Sequence, residues 1–195
     1  MTETIVGFLR HGQTDWNIDF RLQGTTDIPL NKTGIEQAKA VGSVIDASDW
    51  DLLITSPLSR AVATAAMVAE LSGIDDYLVE PLLLERAFGE AEGLTHEEWK
   101  AQYANLAVIP GGESLEELAA RAWRLLDHLA ITYSGKRVLA VSHGALIRKV
   151  IRLVSKGELP REGERFGNAS LSTLVHSNNE WRILSYNPQT YSGKP

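Results

Sequence analysis

Arg10, His11, Arg60, Glu85 and His143 are the side chains whose types and placement suit joint chemistry. His11 and His143 each precede a glycine, and each follows an apolar run, Ile5–Leu9 in one case and Val138–Val141 in the other. Short apolar runs closed by a polar loop are the pattern of strands buried on both faces, the habit of parallel sheets. Residues just past such strands stand at the sheet end where open α/β folds place their ligands. Arg60 comes shortly after a third such run, Trp50–Thr55, and Glu85 after a shorter one ending at Leu84. Singly, each has an ordinary reading. A lone histidine usually packs or faces solvent, Arg60 suits a first-turn surface arginine, and Glu85 beside Arg86 suits a loop ion pair. His96, His128 and His176 stay in that ordinary class. What singles out the five is their common place at sheet ends.

Brought together, they make a phosphoryl site. Two guanidiniums supply planar forks that match phosphate oxygens bidentately. The same charges oppose protonation of a neighbouring imidazole and keep it neutral. A neutral imidazole is a nucleophile toward phosphorus, and fixed cations stabilise the charge spread over the transferring group. A carboxyl group such as Glu85 can protonate the leaving oxygen and then deprotonate the attacking water. A metal reading competes, because two histidines and a carboxylate also match a metal-ligand set in type. Two arginines in the same pocket would repel a divalent cation, which ranks that reading lower.

The elements that must position these residues follow a strand–turn–helix alternation. After the first strand, Thr14 to Asn31 carries no helical period and is expected to be a long loop, of the kind that is usually functional. Thr33-Gly34-Ile35-Glu36 has the form of a capping box with Thr33 as N-cap. It opens a helix with Ile35, Ala38, Val41, Val44 and Ile45 on one face. The Trp50–Thr55 strand leads into a helix expected to start at Ser56-Pro57 and stop at Gly73. Tyr77 to Leu84 is a third strand region, and Pro81 makes it an edge or a bend. Residues 86–113 are an irregular excursion covering one end of the sheet, with a short helix around Thr95 to Tyr103. Ser114-Leu115-Glu116-Glu117 is a second capping box, opening a helix with Leu115, Leu118, Ala119, Ala122, Leu125, Leu126 and Leu129 at helical spacing. The strand Arg137–Ser142 and a helix from Gly144 to Gly157 follow. Ser170–Ser177 and Glu180–Tyr186 flank Asn178-Asn179, a hairpin signal.

A chain of 195 residues, 44% hydrophobic and 23% charged, suits one domain with a sizeable core. There is no cysteine, which excludes disulfides, thiolate metal sites and cysteine nucleophiles. A net charge of −6 argues against nucleic acid as the main partner. Met1-Thr2-Glu3-Thr4 lacks the form of a signal peptide, and no apolar run approaches the ~18 residues of a membrane helix. The expectation is a soluble, cytoplasmic protein with no membrane partner.

Leu9-Arg10-His11-Gly12-Gln13-Thr14-Asp15-Trp16-Asn17 resembles the signature of the histidine phosphatase superfamily, in its phosphoglycerate-mutase-like branch. The likeness continues through Arg21-Leu22-Gln23-Gly24, Asp27-Ile28-Pro29-Leu30 and Thr33–Ala38, then Thr55–Ala61, Glu85-Arg86 and Val141-Ser142-His143-Gly144. Several motifs in the right order make it specific, and it spans Ile5 to the C-terminal hairpin. Gln13 stands where the family often has Glu, although Gln is also familiar there. The resemblance implies an α/β fold, a three-layer α/β/α sandwich around a mostly parallel central sheet. It implies a phosphohistidine on His11, with Arg10, Arg60 and His143 holding the phosphoryl group and Glu85 as proton donor. It also brings Asn17, Gln23, Gly24 and Gly144 near phosphate or substrate, and it implies no metal and no other cofactor.

Phosphatases and mutases share such a site, and a mutase must exclude water where a phosphatase admits it. Mutases of the family carry a long insertion after the position of Glu85. Here that stretch is short and ends in Pro110-Gly111-Gly112-Glu113-Ser114, as in the phosphatase members. The expectation is a metal-independent phosphomonoesterase acting on a small metabolite. A cofactor-dependent phosphoglycerate mutase and a catalytically weak phospho-ligand-binding regulator are the alternatives. Trp16, Phe20, Phe88, Trp99 and Tyr103 are placed to meet an apolar part of the substrate, with simple packing the plainer account of Trp99. A homodimer through a sheet edge or the final hairpin is compatible with the sequence.

Overall fold

Thr4–Arg10 forms strand β1 of the computed structural model, which describes residues 2–193. Its run of apolar side chains is buried on both faces because it lies inside a six-stranded sheet. The other strands are β2 (Leu52–Thr55), β3 (Tyr77–Val79), β4 (Arg137–Ser142), β5 (Leu171–Ser177) and β6 (Glu180–Ser185), in the spatial order β3-β2-β4-β1-β5-β6. The β3/β2, β2/β4 and β4/β1 pairings are parallel, whereas β5 runs antiparallel to both β1 and β6. The sheet is therefore mixed but mostly parallel.

Alternation along the strands sends successive side chains to opposite faces, and each face is covered by helices. Val6, Phe8, Val138 and Ala140 pack with Leu118, Leu125, Leu126, Leu129, Leu146 and Val150, which belong to helices α5 (Leu115–Thr132) and α6 (Gly144–Val154). Leu9, Leu53, Leu139 and Val141 pack on the other face with Val41, Ala61, Ala65 and Val68. Those come from α2 (Lys32–Val44) and α3 (Ser59–Ser72). This gives the three layers. Each fully buried leucine or phenylalanine contributes about 1.5–3 kcal/mol by leaving water. Two short helices, α1 (Asp15–Ile18) and α4 (His96–Gln102), lie in the connections. Among the described residues no helix is long and apolar enough to cross a membrane.

The register sets up the site. Arg10 lies opposite Ser142 across the β1/β4 pair, and Thr55 lies opposite Val141 across β2/β4. The residues that follow, His11, His143 and Ser56, thus emerge side by side at one end of the sheet.

Several local expectations are corrected. Asn31, not Thr33, caps α2: its side chain accepts from the Gly34 N–H at 2.9 Å, and Thr33 lies inside the helix. Glu36, left without a capping role, pairs with Lys39 at 3.2 Å. Helix α3 starts at Ser59, because Asp27 supplies the capping carboxylate from outside, accepting from the Ser59 N–H at 2.9 Å and its hydroxyl at 2.8 Å. The loop Thr14 to Asn31 holds α1, closed by a Thr14/Asn17 capping box and too short to show a period. Strand β3 ends at Val79, and Pro81–Leu83 forms a 3-10 turn. The second capping box, Ser114 with Glu117, the Gly73 cap with φ 81°, and the Asn178-Asn179 hairpin turn stand as expected.

Candidate active site

His11 is 2% exposed, and its Nδ1 lies 2.6 Å from the carbonyl oxygen of Gly12. A carbonyl only accepts, so the proton sits on Nδ1 and the lone pair on Nε2. Burial first, then the charges of Arg60 and Arg10, push the His11 pKa well below the ordinary histidine value, with the Gly12 bond opposing. The imidazole is neutral at pH 7. Its backbone is held on three sides: its N–H donates to Ser142 O at 3.0 Å, and its carbonyl accepts from Ala169 N at 3.2 Å and Asn168 Nδ2 at 3.1 Å.

Beyond His11 the chain must pass very close to α2. A side chain at Gly12 would put Cβ 2.4 Å from the Gly34 carbonyl oxygen, and one at Gly34 would stand 2.0 Å from that of Gln13. Hydrogen bonds fix the same approach, from Gly12 N–H to Thr64 Oγ1 at 3.1 Å and from Gln13 N–H to Gln37 Oε1 at 2.9 Å.

Arg60 is buried and Arg10 half-buried next to this ring. Burial lowers the Arg10 pKa to about 10, with Glu85 raising it and Arg60 and Arg148 lowering it, so it remains a cation at neutral pH. The Arg10 guanidinium donates to the Phe166 carbonyl. Arg60, 1% exposed, donates Nη1–H to Thr26 O at 3.0 Å and Nη2–H to Gly24 O at 2.8 Å. Those carbonyls aim its fork from the loop after α1. Glu92 in turn holds that loop, accepting from the Thr25, Thr26 and Phe88 N–H groups at 2.9, 2.9 and 3.0 Å.

His143 is fully buried, its ring centre 5.1 Å from that of His11. Burial, then His11, Arg60, Arg10 and Arg121, depress its pKa well below the ordinary value. Its Nε2 lies 2.7 Å from Ser56 Oγ. Glu85 is 8% exposed and bonds across the start of α6. Its oxygens accept from the Ala145, Leu146 and Arg86 N–H groups at 3.0, 3.0 and 2.8 Å. Helix N-termini leave such N–H groups unpaired, and Glu85 satisfies two of them. Arg121 braces the preceding turn, donating to Leu84 O at 2.7 Å while its fork grips the Glu113 carboxylate at 2.8 and 2.7 Å.

Three buried nitrogens in this cluster, Arg10 Nε, Arg60 Nε and His143 Nδ1, have no hydrogen-bond partner among the described residues. Buried polar atoms left unpaired are costly and rare, and they gather where a ligand's oxygens bind. The five residues picked from the sequence therefore meet, although four separate elements carry them. Among the described residues, no three of His, Asp and Glu come together as metal ligands.

Next to this cluster, and sharing Arg10 with it, lies a cleft of about 850 Å³ whose lining does not include His11, Arg60, Glu85 or His143. Asn17 and Gly144 line it. Gln23 and Gly24 do not: Gly24 acts through Arg60, and Gln23 Oε1 is buried without a partner. Trp16, Phe20, Phe88 and Trp99 line the cleft, as does His96, which the sequence reading set aside. Tyr103 instead packs beneath the excursion with Ile109 and Ala91. His128 sits 3.0 Å from Glu80 and His176 against Trp181, both away from the site. Sequence reasoning missed Ser56, Arg121 and Asn168, whose amide joins His11 O to Asn17 Oδ1, at 3.1 Å each.

Residues 6–189 match the family model described as "Histidine phosphatase superfamily (branch 1)". The chain is 39% identical over 189 residues to the Bacillus subtilis (strain 168) protein named "Uncharacterized phosphatase PhoE", covering 94% of each. It is 34% identical to the "Probable phosphoglycerate mutase GpmB" of Photorhabdus laumondii, over 90% of this chain and 86% of that one. The solved structure of a mycobacterial glucosyl-3-phosphoglycerate phosphatase superposes with a TM-score of 0.82 at 32% identity, covering 95% of this chain and 99% of that one.

Proposed function

The chain belongs to the histidine phosphatase superfamily, and on that premise we propose that it is a metal-independent phosphomonoesterase acting through a phosphohistidine on His11. The observation that carries the reading is the set of three unpartnered buried nitrogens beside a neutral imidazole. A phosphomonoester dianion satisfies them with its non-bridging oxygens, which sets phosphorus before the His11 Nε2 lone pair. Attack by Nε2 forms the N–P bond as the ester P–O bond breaks. The guanidiniums of Arg10 and Arg60 and the His143 ring stabilise the charge that spreads over the equatorial oxygens. Glu85 gives its proton to the leaving alkoxide. It then takes one from the water that attacks phosphorus, releasing inorganic phosphate and free His11.

Two fixed cations next to the nucleophile supply the electrostatic role a divalent ion has in other phosphatases, which supports metal independence. The short excursion supports hydrolysis over the mutase reaction, since the mutases this chain resembles carry a long insertion there. The test is phosphate release from a panel of phosphomonoesters in EDTA, wild type beside His11→Ala, with 3-phosphoglycerate isomerisation assayed in parallel. Release that depends on His11 and resists the chelator is the expected result. Isomerisation without release would make the protein a mutase, and recovery by added divalent metal would remove metal independence.

A further inference from the structure

Among the described residues, seven basic side chains and no acidic one line the cleft of a chain whose net charge is −6. Three have work elsewhere. Arg10 belongs to the phosphoryl pocket, Arg21 lies 3.8 Å from both Asp19 and Glu98, and Arg86 donates to the carbonyls of Glu113 and Leu106. The remaining four, Arg148, Lys149, Arg152 and Arg165, form one wall. Lys149, Arg152 and Arg165 make no ion pair among the described residues. Arg148 donates to the Glu164 carbonyl and lies over the Phe166 ring at 5.8 Å, while Arg165 lies over Phe20 at 5.6 Å. The nearby Glu164 carboxylate is already engaged by the Tyr186 hydroxyl at 2.6 Å and the Arg161 N–H at 3.0 Å.

This wall is continuous with the phosphoryl pocket. Arg10 donates to the carbonyl of Phe166, the residue whose ring carries Arg148. Helix α6 begins at Gly144, where a Cβ would stand 3.4 Å from Arg10 Nε. At about 1.5 Å per residue, Arg148 and Arg152 lie about 6 and 12 Å further along the helix. Burial, then Arg86 and Arg152, lower the Lys149 pKa, so the like charges act on one another without neutralisation. Cations gathered in a concave, partly dry wall attract an anion and orient it.

We propose that Arg148, Lys149, Arg152 and Arg165 form a second anion subsite, and that the substrate is a phosphomonoester bearing another carboxylate or phosphate one to two helical turns from the scissile group. The aromatic side chains of Trp16, Phe20 and Phe166 flank the span between the two anions. The substrate assignment rests on the phosphomonoesterase reading; the subsite itself does not.

The experiment uses linear alkyl phosphates of increasing spacer length, ended by a hydroxyl, a carboxylate or a second phosphate. Hydrolysis is read as kcat/KM for wild type and for Lys149→Ala/Arg152→Ala, two exposed or half-buried positions outside the core. Binding of the same compounds to His11→Ala is read by calorimetry. The doubly anionic compounds should exceed their hydroxyl counterparts by about tenfold in kcat/KM at low salt. The advantage should lie mainly in KM, peak at spans of about 6–12 Å, shrink with added salt and shrink again in the double variant. Carboxylate against phosphate ends decides which anion fits. Equal values with and without the second anion, or an advantage untouched by the double variant, would overturn the subsite. If no compound is hydrolysed while calorimetry still shows the preference, the phosphomonoesterase reading fails and the subsite stands.

Discussion

At His11 one proton decides whether the ring can attack. Its depressed pKa moves the acid limb of kcat/KM downward, because the free enzyme keeps the imidazole neutral to a lower pH than an ordinary histidine would. The pH profile should therefore show that limb well below pH 6.5, and a limb at or above that value would contradict the neutral nucleophile. At Arg60 the two carbonyl bonds to Gly24 and Thr26 use the guanidinium fork. Arg60→Lys keeps the charge but loses that aim, and Lys is no substitute where planar geometry counts. It should lower kcat/KM about a hundredfold with a melting temperature close to wild type. Wild-type kcat/KM in that variant would show that charge alone suffices.

Among the elements, Arg121 on α5 does for Glu85 what the two carbonyls do for Arg60. Removing it leaves the Glu113 carboxylate unpaired at low exposure and frees the Leu84 carbonyl next to Glu85. Arg121→Ala should cost about 3 kcal/mol in urea unfolding and lower kcat as well. Adding Glu113→Leu should restore part of the stability but not the turnover, since Leu84 stays unbraced. These elements were unevenly legible in the sequence. Strand-end placement found Arg10, His11, Arg60, Glu85 and His143, because a parallel strand delivers its carboxyl end to the site. Asn168 was invisible to that rule: β5 runs antiparallel, so its amino end arrives there instead. Arg121 carried no signal at all, being one arginine on a helix whose apolar spacing alone is readable. Thr33 and Pro57 looked like helix starts, but Asn31 and the distant Asp27 took the capping roles. Hydrophobic period reports burial; it says little about which polar group across the fold completes a helix end.

For the whole molecule, two buried histidines held neutral link stability to pH. Their folded pKa values lie below the unfolded one, so the unfolded chain binds more protons as the pH falls. Stability from this source is complete above about pH 6.5 and declines below it, by up to about 1.4 kcal/mol per pH unit for each histidine. Urea midpoints should fall below that pH in the wild type and more gently in His11→Gln. Parallel curves would mean that His11 does not contribute. The strand order carries a consequence for how the protein is made. The sheet's central strand β1 is translated early, yet its neighbours β4 and β5 are supplied by residues 137–142 and 171–177. At about 5–20 residues per second, the ribosome leaves that apolar segment without a partner for roughly ten seconds. The nascent chain thus carries an unpaired apolar strand through most of its synthesis, and it acquires the His11 pocket only when Asn168 and Ala169 emerge to close it. Protease resistance of stalled ribosomal chains should appear in one late step, after β5 has left the exit tunnel.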